Sequence, residues 1–314
     1  MERKKKFFQG MYDYYEEILR KAGEKDIIIW GYGKGGAFCE CRLKELNPNV
    51  RIPYYIDEFL YFPNMADLNI YRSSLLDYID SSRYVVLLTM WESEKAQKKM
   101  RARGYRKGET YFDVRRDIGG NYLEYLQSVN PEIDFRPVTH LQRPNQFTGN
   151  YHDSTPFDFC AVDKVFEKIR ALDTEKSFFD MGCGKGQIVL MAYLYGMDVV
   201  GGVEFLEDIY ETAGKNMALL NIEADIYLGD AAGFQDIDRY SIFFFYNSFS
   251  GDILREVLKN IKNSYNRRRR RIYFIYANPY EHKMLMQEGY RLYTQLKVDC
   301  YDPLLNIYQY GNEI

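Results

Sequence analysis

Two spacings of apolar residues alternate along this chain. Short continuous runs suit strands buried on both faces, and i, i+3, i+4 stripes suit helices with one covered face. A helical stripe over Gln9–Ala22 leads into the strand Asp26–Trp30, and a glycine-broken turn leads into a helix ending near Leu46. Strands follow at Ile52–Ile56, Tyr84–Met90 and Thr110–Phe112, with a polar helix, Glu92–Arg103, between the last two. From Gly119 to Gly149 the periodicity fades into turn formers around one short helix, Asn121–Val129, so 119–150 reads as a linker. The alternation then resumes with a helix over Asp158–Leu172, a strand ending at Asp180 and a helix over Ile188–Tyr195. Strands Asp198–Glu204, Ala224–Leu228 and Ser241–Asn247 come next, then a helix over Gly251–Ile261 and a strand over Ile272–Tyr276. The last strands fall at Leu292–Val298 and Asn306–Tyr310. Strand and helix in turn predict α/β architecture with largely parallel sheets, in two domains, 1–118 and 151–314.

The richest chemistry sits where a strand meets a helix, in Phe178-Phe179-Asp180-Met181-Gly182-Cys183-Gly184-Lys185-Gly186-Gln187. Glycines at alternate positions let the backbone turn sharply and let a ligand reach the N–H groups that open the next helix. Asp180 selects among ligands. Its carboxylate would repel a pyrophosphate but suits a molecule carrying an ammonium and a sulfonium, and S-adenosylmethionine carries both. The next strand also ends in an acid, Glu204, placed to accept bonds from both ribose hydroxyls. A third ends in Gly229-Asp230-Ala231, where Asp230 could accept from the adenine amino group, and a fourth ends at Asn247. Ligands of open α/β sheets sit at these carboxyl ends. The competing reading is a packing corner with no ligand.

These four ordered motifs, within residues 150–314, resemble the class I S-adenosylmethionine-dependent methyltransferases. The resemblance implies a seven-stranded sheet. It also implies Asp180, Gly182, Gly184 and Gly186 around the methionine moiety, Glu204 at the ribose, Asp230 with Ala231 at the adenine, and Asn247 beside the sulfonium. In related enzymes a Thr-Pro segment closes over the cofactor carboxylate, which here points to Thr155-Pro156; a plain helix cap explains that pair equally well. Amine-methylating relatives carry proline after the fourth-motif asparagine, where this chain has Ser248.

The N-terminal half holds a second glycine motif, Gly31-Tyr32-Gly33-Lys34-Gly35-Gly36, between a strand and a helix, with Asp57 closing the following strand as in the Rossmann fingerprint. No acid precedes it and Lys34 lies inside it, so it suits a phosphate better. Gly31, Gly33, Gly36 and Asp57 are candidates for a second nucleotide site; a purely scaffolding role is the alternative. The segment resembles the Rossmann-type modules of bacterial surface-glycan and nucleotide-sugar enzymes through its Trp-Gly-x-Gly-Lys-Gly-Gly and later Tyr-x-Ile-Asp. The expected fold is therefore two Rossmann-like doubly wound domains.

Charge narrows the partners. Residues 1–118 hold 22 Lys+Arg against 18 Asp+Glu, and the remainder holds 20 against 27, so the second half is acidic and a nucleic-acid partner is not its default. Five scattered cysteines (Cys39, Cys41, Cys160, Cys183, Cys300) and three histidines show no metal-ligand spacing beyond the Cys39/Cys41 coincidence, so no metal is expected. The basic opening lacks an apolar stretch behind it, and no run is long enough to span a membrane. The reading is of a cytoplasmic enzyme with S-adenosylmethionine as cofactor. Its acceptor would be an oxygen or nitrogen of a small metabolite, such as a sugar of surface-glycan metabolism.

A protein acceptor is the second option, since the loop, Gly202-Val203-Glu204 and the Asn-x-Phe at 247–249 resemble the non-SET lysine methyltransferases. A nucleotide-sensing module with an inert methyltransferase half is the third. His152, Asp153 and His282 are the candidate proton acceptors, with Asn247 holding the acceptor in line. Arg267–Arg271 reads as a solvated turn, or as a patch for an acidic partner, and Asn278-Pro279-Tyr280 as a strand-ending turn.

Overall fold

The computed structural model describes residues 2–59, 69–138, 159–246, 249–297 and 304–311. Contacts divide the chain into two compact units, one of Lys5–Pro131 and one of Glu132–Ile314 joined by Met1–Lys4.

The first unit is built on β1 (Asp26–Trp30), β2 (Tyr54–Ile56), β3 (Ile70–Tyr71), β4 (Tyr84–Leu88) and β5 (Tyr111–Asp113). They lie in the order β3-β2-β1-β4-β5, every pair parallel. The two central strands are continuous apolar runs because both faces are covered; all five residues of β4 are buried. The order reverses between β1 and β4, and the glycine motif leaves β1 at that point.

The second unit carries β6 (Ser177–Met181), β7 (Val199–Glu204), β8 (Asp225–Leu228), β9 (Ile242–Tyr246), β10 (Ile272–Ala277), β11 (Arg291–Lys297) and β12 (Leu304–Tyr310). Their order is β11-β12-β10-β9-β6-β7-β8. All pairs are parallel except those of β12, which runs antiparallel between β10 and β11. The seven-stranded sheet expected from the motifs is present. Phe243, Phe245, Phe274 and Tyr276 on the central strands form its core with Leu254, Leu258 and neighbours on the helix Gly251–Arg267.

That helix runs six residues further than the sequence pattern suggests. Ser264 and Tyr265 continue the buried stripe of Val257, Leu258 and Ile261 at helical spacing, and the polar residues between them face out. The arginine run at its end is the solvated stretch expected at Arg267, Arg268 and Arg269, which are exposed, but not at Arg270. Arg270 is 4% exposed and donates to the carbonyls of Tyr240 (2.6 Å) and Ile237 (3.2 Å) and to Ser264 Oγ (2.9 Å). Burial pulls its pKa down to about 10. Arg267, Arg268 and Arg271 pair with Asp238, Glu175 and Asp173, and Arg269 lies over the Tyr265 ring. Arg270→Met should lower the unfolding free energy in urea by about 3 kcal/mol, because two buried carbonyls lose their donor.

The residues before Lys5 belong to this second unit. Arg3 donates to the carbonyls of Tyr193 and Met197, and Lys4, 1% exposed, reaches Asp163 and the Tyr195 hydroxyl at 3.2 Å each. Among the described residues no helix is long and apolar enough to cross a membrane.

Candidate functional site

The glycine loop after β6 is shaped by backbone conformation. Gly182, Gly184 and Gly186 have φ of 132°, 52° and 87°, a region that side chains disfavour. Gly186 caps the helix Gln187–Leu194, whose first N–H groups lack intrahelical acceptors.

Two partners hold the loop. Toward β7, Cys183 N donates to Val203 O (3.0 Å) and Gly184 N to Glu204 Oε2 (3.0 Å). The approach is close enough that a Cβ on Gly202 would sit 2.5 Å from Cys183 Cβ. On the other side, Lys185 Nζ meets Asp134 Oδ2 at 2.8 Å. Asn216 bridges the pair, donating to the carbonyls of Asp134 (2.8 Å) and Lys185 (3.0 Å) and accepting from Asp134 N (3.0 Å). Burial works against the Asp134 carboxylate, but hydrogen bonds from Arg136 and Lys185 prevail and hold its pKa well below the usual range. Asp134 and Asn216 were missed from the sequence, one for lying in an expected linker and the other inside a helix.

Asp180, on β6, is 3% exposed, and among the described residues its carboxylate has neither a hydrogen-bond nor an ion-pair partner. Burial, then the neighbouring Glu204, pushes its pKa well above the carboxylate range. Glu204 ends β7 and also accepts from Leu206 N (2.9 Å). Burial raises its pKa too, against backbone donors at Leu206, Gly184 and Phe205. Two acids in one dry corner repel each other and miss water.

Past β8, Asp230 Oδ1 accepts from Ala232 N (2.9 Å) and Ala231 is buried. Gly229 N donates to Glu204 O (2.9 Å), tying the ends of β7 and β8 together. Phe205 follows Glu204, and Leu228 is in register with it; both stay about half exposed. The sequence reading passed over them, although a large apolar residue beside a strand-ending acid was a usable signal.

The structure thus brings Asp180, Gly182, Gly184, Gly186, Glu204, Asp230 and Ala231 to the carboxyl ends of β6, β7 and β8. His152, Asp153, Thr155 and Asn247 lie outside the described residues. Asn278 has φ of 55° in the turn that closes β10, where Tyr280 N donates to Asn278 O (2.8 Å). Among the described residues no group of His, Cys, Asp and Glu is placed to hold a metal ion.

In the first unit, Gly31 leaves β1 with φ of 100°, and a Cβ there would lie 2.9 Å from Met90 N. Gly33 caps the helix Lys34–Leu46, Gly36 packs where a Cβ would be 2.7 Å from Gly31 O, and Asp57 follows β2. That helix has no acid in its first turn. Arg115 stacks 3.6 Å over Trp91 and pairs with Glu124 at 2.6 Å, and a Cβ on Gly35 would be 2.9 Å from its Nη1.

No model of a known protein family matches the sequence, and no curated protein sequence does. Among solved structures, the chain is similar to the tRNA (uracil-54, C5)-methyltransferase of Pyrococcus abyssi in complex with S-adenosyl-L-homocysteine, at 16% identity and a TM-score of 0.39. The likeness covers 53% of this chain and 40% of that one. An RNA methyltransferase of Salinibacter ruber in complex with S-adenosyl-L-homocysteine is 16% identical with a TM-score of 0.37, over 51% of this chain and 96% of that one. A ribosomal protein L11 methylase of Lactobacillus delbrueckii subsp. bulgaricus is 15% identical with a TM-score of 0.38, over 49% and 78%.

Proposed function

We propose that the second unit is an S-adenosylmethionine-dependent methyltransferase. The observation that carries this is Asp180, a buried carboxylate without a partner among the described residues, raised in pKa by burial and by Glu204. Leaving such a group unpaired costs several kcal/mol, and a ligand that brings a positive charge removes the penalty. A dinucleotide would instead put its pyrophosphate against that carboxylate. The residues fit the methionine and adenosine parts in turn: Asp180 for the ammonium, helix N–H groups behind Gly186 for the carboxylate, Glu204 for the ribose hydroxyls. Asp230 suits the adenine amino group, and Phe205 and Leu228 offer apolar faces for the ring.

When bound, this cofactor supplies a methyl carbon activated by its sulfonium, which leaves with the bonding pair as S-adenosylhomocysteine. The protein's part is orientation and exclusion of water, since the sulfur departs neutral. The acceptor we favour is a small hydroxyl- or nitrogen-bearing metabolite. Against a polyanionic acceptor stands the fact that Lys185 and the arginines at 267, 268 and 271 pair with acids of their own unit. A protein nitrogen is the second option. For the first unit, the acid-free helix start beside Lys34 and Arg115 supports a phosphate-bearing ligand at Gly31–Gly36 with Asp57.

Calorimetric titration of the full chain with S-adenosylhomocysteine tests the reading. Saturable heat and a ligand-dependent rise in melting temperature are expected. Absence of both overturns it.

A further inference from the structure

A chain of hydrogen-bonded side chains ends just past the carboxyl end of β10. His282 Nδ1 lies 2.8 Å from Tyr308 Oη, Asn306 Nδ2 lies 2.8 Å from the same oxygen, and Gln295 Nε2 lies 2.8 Å from Asn306 Oδ1. Tyr308 and Asn306 are buried on β12, and the imidazole of His282 is half-buried and packed on the Tyr308 ring at 5.7 Å between centroids. The two buried members, Tyr308 and Asn306, are costly to fix unless each is satisfied, and the half-buried His282 and the exposed Gln295 satisfy them from either end.

Its position is informative. His282 lies five residues past the end of β10, on the edge of the sheet that carries Asp180, Glu204 and Asp230. Ala277 at that end is in register with Tyr246 of β9, and β9 lies between β10 and β6. Two strand spacings, about 10 Å, separate β10 from the strand bearing Asp180.

We propose, on the basis of the methyltransferase reading above, that His282 takes the proton of a hydroxyl-bearing acceptor, with Tyr308, Asn306 and Gln295 as its positioning residues. Both amides can turn over, so the chain runs in either direction without losing a bond. In one direction Nδ1–H donates to Tyr308 and leaves Nε2 with its lone pair. As the acceptor oxygen takes the methyl group, its proton passes to Nε2, Nδ1 keeps its bond to Tyr308, and the imidazolium then gives the new proton to water. The partner is a neutral hydroxyl where other enzymes use a carboxylate.

Protein labelled with ¹⁵N in its three histidines provides a test that needs no acceptor. His282→Gln assigns the His282 signals. These signals should differ between the S-adenosylmethionine and S-adenosylhomocysteine complexes, because only the first carries the sulfonium charge. Tyr308→Phe should shift the Nδ1 signal in both complexes. With labelled S-adenosylmethionine and a metabolite extract, His282→Gln should lower methyl incorporation by about 10²-fold or more while binding S-adenosylhomocysteine unchanged. Identical His282 signals in the two complexes, or full incorporation by the variant, overturns the assignment. If neither ligand binds the unaltered protein, the methyltransferase reading itself falls.

Discussion

Asp180→Asn is expected to raise the melting temperature of the ligand-free protein while removing most of its affinity for S-adenosylhomocysteine. The substitution keeps the shape and deletes a charge that is buried, without a partner among the described residues, and close to Glu204. Relief of desolvation and repulsion should stabilise the fold by about 1–3 kcal/mol, or roughly 5 °C in a scanning experiment. Loss of the charge-assisted contact to the ligand's ammonium should weaken binding by about 100-fold.

The two effects have opposite pH dependence. Asp180 keeps its proton in the folded state above 3.8, the ordinary value, up to its raised pKa, whereas the unfolded chain has already released it. Stability contributed by this group therefore falls as pH rises through that window. Ligand binding needs the carboxylate, so affinity rises across the same window. The variant should lose both slopes. A variant that binds weakly and also melts lower would mark Asp180 as a structural group.

Gly202→Val should have the second-largest effect. Its Cβ would lie 2.5 Å from Cys183 Cβ and 3.1 Å from Asp180 O, so the glycine loop must move off β7. Overpacking of this kind costs about 1–3 kcal/mol in urea unfolding. Movement of the loop also breaks the bond from Gly184 N to Glu204, and affinity for S-adenosylhomocysteine should fall by about 10- to 100-fold. Binding unchanged by the substitution would mean that the loop does not form the site.

Much of this was legible in the chain because local signals agreed with tertiary needs. The helix Gln9–Ala22 and the strand Asp26–Trp30 were read to the residue, since each carries one unbroken pattern. The strand-ending acids Asp180, Glu204 and Asp230 share one sheet edge because parallel strands joined by helices bring every carboxyl end to the same side. What escaped depends on contacts between distant residues. Asp134 looks like linker until Asn216, 82 positions away, is seen to bind it. Arg270 belongs to a charged run by composition, yet only the carbonyls of Ile237 and Tyr240 reveal that it is interior. The strand of Tyr308 was read from its pattern, but its antiparallel pairing with β10 and the meeting of its hydroxyl with His282 are long-range contacts that periodicity does not carry.

Lys4 carries a topological consequence. Its ammonium meets a carboxylate 159 positions later, so the polypeptide between them is a closed loop in the finished molecule. Closing so long a loop costs configurational freedom that grows only logarithmically with length, but the contact is strongly nonlocal. A fragment cut to begin at Glu132 would leave Asp163 and Tyr195 facing the hole where that ammonium belongs. Dissection of this protein therefore needs a permuted chain, with the opening residues grafted elsewhere, rather than a single scission.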